Sequence, residues 1–265
     1  MVSTGAHRRS AAPPAAVREL AGARPVCLAW ENEDALTFEV GDDPDRCFVK
    51  WAPAGSTLDL AAEAARMTWA AACTPVPQVL GQGSNGEGSW LMTSALPGQS
   101  AVSQRWLANP RTAVTAIGEG LRALHDALPV AGCPFSWLAE DRVAAAERAA
   151  AAGRLDLSDW DPAHLELGVA GMLAQARDIP PTDELVVCHG DACAPNTLIT
   201  GDGRCSGHVD LGDLGVADRW ADLAVATWST EWNYGPGWER RLLDAYGIRP
   251  DAGRARYYRL LWELG

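Results

Sequence analysis

His189-Gly190-Asp191-Ala192-Cys193-Ala194-Pro195-Asn196, followed by Val209-Asp210-Leu211-Gly212, is the stretch on which the reading of this chain turns. The residue types and their spacing have a mechanical meaning. An Asp held on a loop, here Asp191, accepts or orients the proton of an attacking hydroxyl. An Asn five residues later and an Asp fourteen residues after that, Asn196 and Asp210, offer oxygen ligands to a Mg2+ ion that bridges the phosphates of ATP. Phosphoryl transfer depends mainly on positioning and on neutralising charge, so a few rigidly placed oxygens are what that chemistry needs.

Working outward, the apolar run 184–188 reads as a strand that delivers the chain to His189, and Leu198-Ile199 with His208-Val209 reads as a hairpin around Gly201-Asp202-Gly203. Downstream, helical periodicity covers 217–228, 238–246 and 254–264, and upstream it covers 113–128, 141–152 and 162–176. The first hundred residues differ. Strand-like runs at 26–30, 36–40, 47–51, 79–80 and 89–93 surround one Ala-rich helix at 57–72, with a polar Gly-rich turn expected over 81–88. An α+β chain follows, with a small antiparallel-sheet N-terminal lobe (1–94) and a mostly helical C-terminal lobe (95–265) that carries the catalytic loop. Order is expected from about residue 20 onward, after an Ala/Pro-rich start.

Composition narrows the partners. The net charge of −12 argues against nucleic acid, whose binding requires Lys and Arg to neutralise phosphates, and suits a cationic ligand. Seven scattered cysteines with no CxxC pair indicate neither a zinc site nor a disulfide framework, and point to a reducing cytoplasm. His7-Arg8-Arg9 is not followed by an apolar core long enough for a signal peptide, and no run of eighteen apolar residues exists to span a membrane.

Val187-Cys188-His189-Gly190-Asp191-Ala192-Cys193-x-Pro195-Asn196, then Gly207-x-Val209-Asp210-Leu211-Gly212-x-Leu214-Gly215-Val216-Ala217-Asp218-Arg219-Trp220-x-Asp222-Leu223-Ala224, closely resembles the aminoglycoside 3′- and 3″-O-phosphotransferases. The resemblance runs over about residues 36–265 and implies a two-lobed protein-kinase-like fold. It implies that Asp191 is the catalytic Asp, that Asn196 and Asp210 are the metal ligands, and that Asp218, Arg219 and Asp222 brace the loop. Phe48-Val49-Lys50 resembles the strand carrying the phosphate-binding Lys, with Glu63 as its ion-pair partner. Thr93, Ser94 and Ala95 resemble the hinge whose backbone receives adenine. The resemblance further implies ATP and Mg2+ as cofactors and a monomer or weak dimer. Its acceptor is an aminoglycoside met by Asp159 and Asp161 in a flap, by Glu231 and Glu263 in the last helices, and by the carboxylate of Gly265. His189 is expected as a structural hydrogen-bonder, His125, His164 and His208 as surface or packing residues, and Trp228 or Trp232 near the substrate.

Three places depart from the family. Glu31-Asn32-Glu33-Asp34-Ala35 replaces a Gly-containing phosphate loop, and Asp213 replaces an Arg after the metal aspartate. The family's Asp before the C-terminal Glu is Trp262 here. Three functions fit these residues: an aminoglycoside kinase, a kinase of another hydroxylated small molecule, and a nucleotide-binding protein with little turnover.

Overall fold

The structure, a computed structural model, describes residues 12–32, 34–158 and 160–265. They divide into two compact units: residues up to Pro97 together with His208–Gly212, and Gly98–Gly207 together with Asp213–Gly265.

The first unit is built on a five-stranded antiparallel sheet. Helix α1 (Ala15–Ala21) precedes β1 (Val26–Glu31), β2 (Leu36–Val40) and β3 (Cys47–Pro53). Helix α2 (Leu60–Ala70) follows, then β4 (Val79–Asn85) and β5 (Gly88–Ser94). The sheet order is β1-β2-β3-β5-β4. Period-two alternation buries Phe38, Val40, Cys47 and Val49 on one face, and Val17 and Ala21 of α1 pack into the same cluster. The Ala/Pro-rich start is therefore ordered earlier than expected: two apolar side chains on one face of a short helix are enough to dock it. α2 buries Leu60, Glu63, Ala64, Met67 and Ala70, the i, i+3, i+4, i+7 spacing of a single helical face. Its N-terminus is capped by Asp59, whose carboxylate accepts from Ala62 N at 2.9 Å.

The expected Gly-rich turn over 81–88 is instead strand, and the turn shrinks to Gly86-Glu87, closed by Glu87 N donating to Asn85 Oδ1 at 2.8 Å. Gly81 and Gly83 serve packing, because a Cβ on Gly83 would lie 2.7 Å from the indole of Trp90 on the neighbouring strand.

The second unit begins with β6 (Gln99–Ser100), the single-turn α3 (Gln104–Leu107), α4 (Pro110–Ala127), α5 (Ala139–Ala151) and α6 (Pro162–Ala176). Then come β7 (Leu185–Cys188), a 3-10 turn at Ala194–Asn196, β8 (Thr197–Ile199), β9 (Cys205–His208) and β10 (Gly215–Asp218). Three helices close the chain: α7 (Trp220–Tyr234), α8 (Glu239–Tyr246) and α9 (Ala252–Glu263). α7 is buried from Trp220 to Thr230, with α8 and α9 packed on it, and α4 lies against α8. That last crossing is close enough that a Cβ on Gly118 would meet Leu242 O at 2.5 Å. Residues 217–218, expected to start a helix, form the end of β10 antiparallel to β7. The helix starts two residues later, where Asp218 Oδ1 accepts from Trp220 N at 2.8 Å. No helix among the described residues is long and apolar enough to cross a membrane.

Candidate active site

In the helical unit β7 carries the chain into His189-Gly190-Asp191, and the bend there needs glycine. Gly190 has φ +92°, and a Cβ on it would sit 2.4 Å from Asp213 O. Asp222, fully buried on the first turn of α7, clamps the bend: Oδ2 accepts from His189 N at 2.6 Å and Oδ1 from Gly190 N at 2.9 Å. His125 of α4 contacts Asp222 Oδ2 through Nε2 at 2.9 Å, and its Nδ1 meets the Tyr246 hydroxyl at 2.8 Å. Burial opposes ionisation of Asp222. The hydrogen bond and charge of His125, with His189 behind them, outweigh it and hold the carboxyl below the usual carboxylate range. His125, expected at the surface or in packing, thus joins α4 to α7 and α8 at the base of the loop. His125, Cys188 and Asp222 bring potential ligand atoms within 4.8 Å of one another, but both imidazole nitrogens and both Asp222 oxygens are already bonded within the protein.

The far side of the loop is pinned as well. Ala194 N donates to Ser229 Oγ at 2.9 Å, and Ser100 Oγ donates to Pro195 O at 2.8 Å. Between these anchors Asn196 Nδ2 donates to Asp191 O at 2.9 Å and to Asp191 Oδ2 at 3.0 Å. Asp191 Oδ1 is buried and has no hydrogen-bond partner among the described residues. An unpaired buried carboxylate oxygen is costly in a resting protein and useful to one that must accept a hydroxyl proton. Asp218 accepts from Asp183 N at 2.6 Å as well as from Trp220 N. Arg219 pairs with Asp183 at 2.8 Å and Glu184 at 2.5 Å, tying the start of β7 to the start of α7.

In the sheet unit Lys50 of β3 reaches Glu63 Oε2 of α2 at 2.9 Å and Asp210 Oδ1 at 2.5 Å. Burial works to lower the Lys50 pKa, but the two carboxylates, Asp210 foremost, more than offset it and hold the ammonium above the ordinary lysine range. Asp210 is a non-glycine residue at φ +65°, a conformation that requires support from its surroundings, and its side chain stays 44% exposed. Thr93 pairs within the sheet, and Ser94 N donates to Gln78 O at 2.9 Å while Ala95 N donates to Arg46 O at 3.4 Å. In the β1–β2 connection, Asn32 Oδ1 accepts from Asp34 N at 3.1 Å and Ala35 N at 2.7 Å, an Asx turn that consumes two loop donors. Glu33 lies outside the described residues.

The proposed acceptor residues fare differently from one another. Glu231 is exposed on α7, and Gly265 is exposed at the chain's last position. Asp161 caps α6 by accepting from Ala163 N at 2.9 Å, and Asp159 lies outside the described residues. Glu263 is turned inward, with only 3% of its side chain exposed. Trp228, Trp232 and Trp262 form a cluster with ring centroids 4.9 to 6.2 Å apart, and Trp232 is the exposed member. Asp213, the reversed charge, acts on Arg142, whose pKa burial lowers to about 10 despite that carboxylate.

An Asp with an Asn five residues later on one braced loop is the catalytic-loop pattern of kinase-type phosphoryl-transfer enzymes. The chain belongs to the phosphotransferase enzyme family, whose profile matches residues 26–259. It is 40% identical over 224 residues to an aminoglycoside 3′-phosphotransferase of Streptomyces fradiae, covering 80% of this chain and 82% of the relative. Among solved structures, an aminoglycoside 3′-phosphotransferase of type VIII superposes with a TM-score of 0.82 at 30% identity, over 94% of this chain and 97% of the other. A 3″-type aminoglycoside phosphotransferase from Streptomyces rimosus, in complex with ADP and streptomycin, gives 0.70 at 28% identity, over 94% and 95%. The kinase-like fold read from the sequence is the fold of these neighbours.

Proposed function

We propose that the protein is an ATP-dependent kinase that phosphorylates a hydroxyl of an aminoglycoside and thereby confers resistance to it. The observation that carries this reading is Asp191, whose Oδ2 is fixed by Asn196 while its buried Oδ1 is left for a hydroxyl proton. Similarity to relatives named for aminoglycoside phosphorylation, one of them solved with ADP and streptomycin, supports it.

In this reading the sheet unit handles the nucleotide. Lys50, kept charged by Glu63, neutralises phosphate oxygens, and the backbone at Thr93, Ser94 and Ala95 borders the adenine. The donor chemistry fits Mg2+: Asp210 offers an exposed carboxylate, and the Asn196 amide, whose nitrogen is spent on Asp191, keeps its carbonyl oxygen for a hard cation. Bound there, the ion would neutralise charge on the transferring phosphoryl group. Asp191 orients the acceptor hydroxyl and takes its proton. Gly190, clamped by Asp222, holds Asp191 in place, so that little reorganisation is left to the moment of reaction. The acceptor is cationic, and the exposed carboxylate of Glu231 and the half-buried one of Asp161 meet its ammonium groups by charge-assisted hydrogen bonds. The seven free thiols support a cytoplasmic location.

The test is ADP release with Mg2+–ATP against kanamycin-, neomycin- and streptomycin-type acceptors, with Asp191→Ala as control. Acceptor-dependent ADP release that falls roughly 10³-fold or more in the control is expected. A flat panel from protein that still binds ATP would refute the aminoglycoside assignment.

A further inference from the structure

A tryptophan left 40% exposed holds a large apolar ring in water, and Trp232 on α7 is such a residue. Its place on the helix ties it to the catalytic loop. Ser229, three residues earlier, accepts from Ala194 N at 2.9 Å, and Asn233 Nδ2 donates to Ser229 O at 2.8 Å and to its Oγ at 3.2 Å. Tyr234 Oη donates to Ala101 O at 2.7 Å, and Ala101 N in turn donates to Thr197 O at 2.9 Å. The end of α7 therefore runs along the loop that carries Asp191 and Asn196. Side chains at i and i+3 are neighbours on a helix surface, so Trp232 stands beside Ser229 at the flank of that loop. A molecule whose hydroxyl reaches Asp191 has to lie on the surface around the loop, and Trp232 is an exposed aromatic ring that borders it.

The ring is held in place. Trp228 lies one turn before it, with ring centroids 4.9 Å apart, and Trp262 of α9 closes on both, 5.6 Å from Trp232 and 6.2 Å from Trp228. The Arg259 guanidinium sits 5.7 Å from the centroid of the Trp228 ring and is fixed by bonds to Thr227 Oγ1 at 3.1 Å and Ala224 O at 3.3 Å. Trp228 is buried and meets that cation, whereas Trp232 keeps ring surface for solvent. Trp262 stands where the family carries an Asp, so a carboxylate has given way here to a third ring. An aromatic plate already fixed by its neighbours loses little side-chain freedom when a ligand settles on it, and its π face attracts cations.

We propose that Trp232, backed by Trp228 and Trp262, is a specificity-determining residue of the acceptor site: the acceptor lays the C–H face of a saturated, amino-bearing ring on the indole, with the ring's ammonium drawn to the π face. The inference rests on the proposed kinase activity and narrows its substrate class. The acceptors used best are amino-bearing ring systems with an apolar face, and an open-chain polyamine does not replace them.

Trp232→Phe keeps a smaller aromatic face, Trp232→Leu keeps apolar area without one, and Trp232→Ala removes both. Initial rates against acceptor and against ATP are measured for each variant with kanamycin, neomycin and streptomycin as probes. Trp232→Ala and Trp232→Leu are expected to raise the acceptor KM roughly tenfold, with kcat and the ATP KM within about twofold of wild type, and Trp232→Phe to stay within about threefold throughout. Tryptophan emission is read without nucleotide. An acceptor that is turned over changes the wild-type emission, the change is largely lost in Trp232→Phe, and spermine, a cation without a ring, does not produce it. A wild-type acceptor KM in Trp232→Leu would overturn the proposal, and so would a spermine response equal to that of the ring compounds. A fall in kcat in Trp232→Ala with the acceptor KM unchanged would make the ring a prop for the loop and overturn it as well. Should the wild type turn over no acceptor, the kinase reading fails separately. The ring contact then stands if a probe changes the wild-type emission and not that of Trp232→Phe, and falls if none does.

Discussion

Asp222→Asn changes one oxygen to an amide nitrogen at a point where the protein has no slack. The wild-type carboxylate accepts three bonds, from His189 N, Gly190 N and His125 Nε2, with no exposure to solvent. An Asn there can keep its oxygen toward His189 and His125, but its NH2 then faces the Gly190 N–H, donor against donor. The orphaned Gly190 N–H costs about 1–3 kcal/mol, and losing the charge from the two remaining bonds costs about 1 kcal/mol each. A total loss of about 3–5 kcal/mol is expected, the range found when one partner of a buried ion pair is removed. Urea unfolding followed by tryptophan fluorescence measures it. Asp244→Asn, at an exposed pair with Arg240, is the control and should cost less than about 1 kcal/mol. The pH dependence carries its own sign. Because the Asp222 pKa is lowered in the folded protein, its contribution is complete above the unfolded value of about 3.9 and is lost as pH falls through the folded value. The difference between wild type and Asp222→Asn should therefore be full at neutral pH and shrink below about pH 4. A loss under about 1 kcal/mol at neutral pH, or a difference that grows on acidification, would refute the clamp.

Other substitutions test the site's parts. Gly190→Ala should cost roughly 2–4 kcal/mol, through strain at positive φ and the collision with Asp213 O. Gly132→Ala, also at positive φ but with nothing within 4 Å, should cost only about 1–2 kcal/mol, and thermal melts compare the two. Lys50→Met should lower kcat/KM for ATP about 10²–10³-fold, with the acceptor KM close to wild type in steady-state assays. A thiol reagent at neutral pH should label Cys27 and Cys73 first, since both are exposed. Cys188, whose thiol burial pushes well above its usual range, should react only on unfolding, as mass spectrometry of timed aliquots would show.

What the sequence disclosed were groups whose partners lie within a few positions of the backbone motif. Asp191 and Asn196 are five apart on one loop, so their hydrogen bonds follow once the loop's bends are read from Gly190 and Pro195. The strands and helices were equally open to reading, because burial follows period two or 3.6 wherever a face meets a core. Errors came where a short-range signal was overruled by a distant partner. Glycines at 81 and 83 signalled a turn, but Trp90 on the adjacent strand claims the space their missing side chains leave. Ala217-Asp218 looked helical until β7 paired with it. Order was expected only from about residue 20, but the sheet gives Val17 and Ala21 of α1 a surface to pack on. The histidines are the clearest case. His125 meets Asp222 and Tyr246, 97 and 121 positions away, and His164 meets Glu263, 99 positions away. Nothing local distinguishes them from surface residues.

The same separation bears on how an acidic chain meets a cation. A net charge of −12 says how many carboxylates there are and not which are available. Asp222 is spent on the catalytic loop, Glu63 on Lys50 and Asp218 on the start of α7. These are desolvated and committed, so their charge is locally compensated and adds little to the field outside. Glu231 remains in water, where a polycation can pair with it without first breaking an internal bond. Affinity for such a ligand should then depend on salt through exposed carboxylates such as Glu231. Neutralising Glu231 should flatten the salt dependence of the acceptor KM.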